Sequence, residues 1–164
     1  MSKLIIELTP ESKTKNANRI VTRYSSGALA AGFVPVAILD IAILSGIQLK
    51  MIHSLANLYR VKFTDHLGKS LIAALIDSVI PTLLSLQVAS LTKSIPGVGW
   101  LAGAGAMSLS GSAFTFAVGK VFIQHFASGG TLLDFEPQKM QEYFISNYQT
   151  IQAENPTSYE GIRP

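Results

Sequence analysis

No residue from Ser94 to Gly119 carries a charge: SIPGVGWLAGAGAMSLSGSAFTFAVG separates Lys93 from Lys120 and holds six of the chain's thirteen glycines. Such a run permits a bilayer span, the buried helix of a bundle, or a glycine-rich phosphate loop. The phosphate loop fails on spacing. Gly119-Lys120 is followed by Val121 rather than Ser or Thr, and Phe114 occupies the first glycine position of a Walker A loop. Gly103-Ala104-Gly105 lacks a third glycine at the required offset and follows no strand. Nucleotide binding is therefore excluded.

Small side chains offer another use for this stretch. Gly99 and Gly103 form a GxxxG pair, continued by Gly105, Ser108, Ser110, Gly111 and Ser112. Small residues let helix backbones approach closely, the usual route to association in lipid. Close packing in a water-soluble bundle uses the same residues. Length favours the membrane, because an uncharged run beyond about 18 residues can span the hydrocarbon core.

Composition sharpens the choice. Only 14% of residues are charged and 48% are hydrophobic, where a soluble domain has about a quarter charged. The chain is short of residues to face water, so it meets a membrane, a partner or copies of itself. Without cysteine there are no disulfides or thiolate sites. His53, His66 and His125 stand far apart with no metal-ligand spacing, and no nucleophile, base and acid assemble from the inventory. The expectation is a non-enzyme without cofactor or metal.

The periodicity predicts an all-α fold of four to five helices. Thr9-Pro10-Glu11 is a helix start, with Thr as cap and Pro at the first helical position. The first helix carries Ala17, Ile20, Val21, Tyr24 and Ala28 on its apolar side and ends near Gly32, before Pro35. A second helix is expected from Pro35 to Tyr59, and a third, capped by Thr64-Asp65, contains Asp77 and is kinked by Pro81. Ser94–Gly97, with Pro96 and Gly97 at its centre, reads as a sharp turn. The charge-free run then forms a fourth helix, and an apolar hairpin over about 67–128 results. Pro137 to Ile151 is a short amphipathic helix. The expected organisation is a lead over 1–8, one helical domain over 9–151, and a loose tail over 152–164.

Lys13, Lys15, Arg19 and Arg23 precede the first apolar run with no acid among them. They read as a stripe for anionic lipid or an acidic partner. Aromatic interleaving is too sparse for nucleic acid. Asp40 and Asp77 interrupt apolar runs and read as packing contacts to a neighbouring Gln or Ser. His53 and His125, near helix ends, read as interfacial residues.

The segment YSSGALAAGFVPVAILDIAILSGIQLKMIHSLANLY resembles the YcjF-type, GTPase-associated family of domains of unknown function. The resemblance rests on Pro35, Asp40, Gln48, Met51 and Tyr59, on Ile95-Pro96-Gly97-Val98-Gly99, and on GGTLLDF and KMQEYF further on. It covers Ile20 to Tyr148. It implies a membrane-associated helical module that often follows a Ras-like GTPase domain. This chain has no GTPase motif, so a GTPase partner would act in trans. The reading is a non-catalytic, scaffolding or anchoring module that meets membrane lipid and forms homo-oligomers on the cytoplasmic side of a bacterial inner membrane. The alternative is a soluble helical homo-oligomer or shell protein that buries its apolar helices against its own copies.

Overall fold

Thr9 and Pro10 start the first helix as their chemistry dictates. Thr9 Oγ1 accepts the Ser12 N–H at 3.3 Å, Glu11 sits in the first turn, and α1 runs Pro10–Ala31. In this computed structural model the backbone is described over 9–31, 37–91 and 99–153, with side chains left out at 31, 37–43, 84, 86–91 and 99–110. The helices that follow are α2 (Ala37–Tyr59), α3 (Asp65–Leu91), α4 (Gly99–Ala127) and α5 (Pro137–Ala153). The fold is all-α, as the periodicity requires. Pro35, Pro96 and Gly97 fall outside the described residues, and so does the turn expected at 94–97.

The last part of the charge-free run, where its side chains are described, lies at the centre of the bundle. From Ser112 to Val121 all residues but Phe114 and Lys120 are buried, and α4 packs on α1, α5 and α2. Small residues make the α1–α4 contact close. A Cβ on Gly119 would come within 2.5 Å of Val21 Cγ2, and Ser112 Oγ donates to Ser25 O at 2.9 Å. The close small-residue packing read from the sequence is thus intramolecular over residues 111–119. Gly99 and Gly103 lie on α4, but their side positions are outside the described part.

Among the described residues α3 packs mainly on α5 and α2, not on α4. Over the described residues each of the two apolar helices of the expected hairpin packs chiefly on other helices, and the segment that would join them lies outside the described residues. The physical reason is competition: α4 offers a small-residue face that α1 fits closely, whereas α3 offers polar acceptors that α5 can bond. Pro81, inside α3, has no N–H to give to the preceding turn. There Gln141 Nε2 of α5 donates to Ser78 O at 2.8 Å and to Thr82 Oγ1 at 3.0 Å.

On α2 the buried face is Gln48, Met51, Ile52, Leu55 and Ala56, spaced at the helical repeat. Phe114, Phe144 and Tyr148 form an aromatic seam where α4 meets α5, with the first pair of ring centroids 4.9 Å apart.

Candidate functional site

One end of the bundle gathers the end of α2, the start of α3, the end of α4 and the loop that leads to α5. Both α2 and α4 close there with the same hydrogen-bonded turn. In α4, Gly130 N–H reaches His125 O at 3.0 Å and Gly129 N–H reaches Phe126 O at 3.1 Å, with Gly129 at φ 88°. That is the expected use of glycine in the left-handed C′ position. In α2, Val61 N–H reaches Ala56 O at 2.8 Å and Arg60 N–H reaches Asn57 O at 3.3 Å. Here Arg60 holds the left-handed position, at φ 60°. A side chain in that conformation costs about 1 kcal/mol that glycine would not.

The loop after α4 is tied down from two sides. Thr131 donates from both its N–H and its hydroxyl to Asp134 Oδ1, each at 2.6 Å. These two bonds, the hydroxyl first, hold the Asp134 carboxyl below its ordinary pKa. Beneath the loop, His125 is buried and its Nε2 lies 2.7 Å from Thr131 O. A carbonyl only accepts, so Nε2 carries the proton and donates. Asp134 Oδ1 stands 3.7 Å from the same nitrogen, beyond hydrogen-bonding distance. Gly130 is packed so closely that a Cβ would overlap the His125 ring. The sequence reading placed His125 at an interface. The structure places it inside, because the loop folds back over the end of α4. His53 is exposed and stacks on Phe63 at 4.7 Å.

Between the two helix ends lies a cleft of ≈ 600 Å³. Tyr59, Val61, Leu67, Phe126 and Leu132 form its apolar walls, and Arg60 and Lys62 its basic rim. No acidic residue lines it. Leu132 is 2% exposed, whereas the adjacent Leu133, at the lip, is 87% exposed. Burial raises the Tyr59 phenol above its ordinary pKa, and its buried hydroxyl makes no hydrogen bond among the described residues.

The residues singled out in the sequence scatter relative to this cleft. Tyr59 lines it. Gln48 and Met51 are core residues on α2, and Met51 Sδ would lie 3.1 Å from a Cβ on Gly119. Asp40 lies on α2 with its side chain outside the described part. Asp77 is exposed on α3 rather than serving a packing contact. The rotation of α3 that turns Ile72, Leu75 and Val79 inward carries Asp77 outward. Of the basic stripe, Lys15, Arg19 and Arg23 are exposed and Lys13 is partly covered. Sequence reasoning missed Arg60 and Leu133. A helix ending in NLYRV, with no glycine or asparagine at the C′ position, was the available signal for the first. Among the described residues, no group of three or more His, Asp or Glu side chains is placed to hold a metal.

The chain matches the family described as Domain of unknown function (DUF697) over residues 1–152. It belongs to that family. A curated relative, Magnetosome membrane protein 22 of Magnetospirillum gryphiswaldense, is 37% identical over 148 residues, which cover 88% of this chain and 76% of the relative. No solved structure is significantly similar to the chain.

Proposed function

We propose that the chain is a non-catalytic, membrane-associated helical module, with α3 as the element that meets lipid. One observation carries this reading. Asp65–Leu83 is long and apolar enough to cross a bilayer, yet only 22% of it is buried by the rest of the chain. The core helix of a soluble bundle would be mostly covered. The kinship to a protein named for the magnetosome membrane supports the same reading.

The exposed face of α3 adds a second component. Ser70, Ala73, Ala74, Asp77, Ile80 and Pro81 follow one another along it at helical spacing. An acid turned to lipid at mid-helix costs about 2.5–3.5 kcal/mol, so Asp77 favours an arrangement in which this face meets protein. A second copy of α3 fits, since small residues permit close approach. The module is then a homo-oligomeric anchor or scaffold on the cytoplasmic side of a bacterial inner membrane. A GTPase acting in trans is the partner that the family resemblance suggests.

Carbonate extraction of native membranes tests the reading. The chain is expected to stay in the pellet. Quantitative release, together with a monodisperse oligomer in the absence of detergent, would favour the soluble assembly instead.

A further inference from the structure

We propose that the cleft at the end of the bundle holds the headgroup end of an anionic phospholipid, an inference that rests on the membrane association proposed above. Arg60 and Lys62 take the phosphate. The glycerol and first acyl carbons lie against Val61, Leu67, Phe126, Leu132 and Leu133.

Four independent features converge on this occupant. The first is charge: two cations rim the cleft and no acid lines it. Asp65 and Asp134 adjoin lining residues without lining the cleft themselves, and Asp134 has its Oδ1 turned to Thr131. The second is the backbone of Arg60, which keeps a left-handed conformation that glycine would hold without cost. The neighbouring helix α4 solves the same geometry with Gly129. Strain kept at one of two equivalent turns marks a position where the side chain is used.

The third feature is Leu133, presented 87% exposed by a loop that is pinned through Thr131, Asp134 and His125. A rigidly offered leucine beside cations suits the boundary between headgroups and acyl chains. The fourth is position. Leu67, in the first turns of α3, forms part of the wall, so the cleft opens where that helix would enter the bilayer. Its ≈ 600 Å³ falls within the range of about 300–1,000 Å³ that small-molecule sites occupy.

The test uses the full chain in vesicles, with Leu133→Trp as the reporter in a Trp100→Phe background. Brominated phosphatidylglycerol is expected to quench this tryptophan more strongly than brominated phosphatidylcholine at equal mole fraction. Arg60→Gly should lower that selectivity about fivefold, and Arg60→Gly with Lys62→Gln about 30-fold, following the contribution of each charge at a membrane surface. Arg60→Gly should also raise the melting temperature, because it relieves the backbone, which separates lost selectivity from misfolding. Equal quenching by the two lipids would overturn the proposal. So would selectivity unchanged by both substitutions, competition by inorganic phosphate, or crosslinks from position 133 to a second copy. Flotation with the vesicles is read separately. A chain that floats without lipid selectivity sinks the cleft proposal and leaves membrane association standing, whereas a chain that floats with neither lipid sinks both.

Discussion

Arg60 and Ser25 are two residues whose present identity costs stability. Glycine at position 60 should stabilise the fold by about 1 kcal/mol, since it removes the left-handed penalty. Chemical denaturation in detergent checks it. Ser25 Oγ is buried with no hydrogen-bond partner among the described residues, while its backbone carbonyl accepts from Ser112. An unsatisfied buried hydroxyl costs about 1–3 kcal/mol, so Ser25→Ala should leave stability unchanged or raise it. Asp134 gives a pH dependence. Its carboxyl is held below its ordinary value in the fold by Thr131, so the charged form is favoured there. That contribution is present at neutral pH and is lost as pH falls through the lowered value. The 128–136 loop should loosen in acid, and amide exchange at Thr131 would rise accordingly. Asp134→Asn should remove most of the pH dependence.

At the scale of elements, α1 and α4 share the most extensive contact, and Gly119 sits within it against Val21. Gly119→Leu would drive a side chain into Val21 and Met51, at a cost of about 1–3 kcal/mol or more from overpacking. A thermal melt unchanged by that substitution would contradict the packing described. On α3 the exposed small face gives the opposite expectation. Ala74→Leu should barely affect the melting of the bundle, because Ala74 is exposed. It should weaken self-association, read by crosslinking or native mass spectrometry. Helix starts and ends were legible because each has a local cause: the Thr9 cap, Pro10 and Pro137 at first helical positions, and Gly129-Gly130 after α4. Which helix faced which was not legible, because all of α2, α3 and α4 are apolar over much of their circumference.

For the whole molecule, the proposed membrane association together with the distribution of charge predicts an orientation. Lys50, Arg60, Lys62 and Lys69 crowd the α2–α3 connection and Lys120 lies in the second half of α4, with only Lys93 next to Ser94 in the sequence. Cations stay on the cytoplasmic side, so a single cysteine at Ser94 should resist labelling from that side, while one at Ser2 should react. Equal labelling at both positions would count against insertion. Lys120 also has an internal role: its Nζ donates to Asn18 Oδ1 at 3.0 Å and lies 5.7 Å from the Phe116 ring centroid.

Residue order alone decided the all-α class and the starts and ends of its helices, leaving only their number at four to five, because caps, prolines and apolar periodicity act over a few residues. It also carried the family resemblance, whose Gln48, Met51 and Tyr59 follow one face of α2. Only the tertiary structure decided that residues 111–119 of the charge-free run line the bundle's centre, that Asp77 faces outward, and that His125 lies beneath a loop. Those outcomes depend on which of several apolar faces wins each neighbour, a competition settled by shape at Gly119 and by hydrogen bonds at Gln141. The cleft belongs to the same class. Arg60 is far along the chain from Phe126 and Leu133, and they meet because α2 and α4 end together at one end of the bundle.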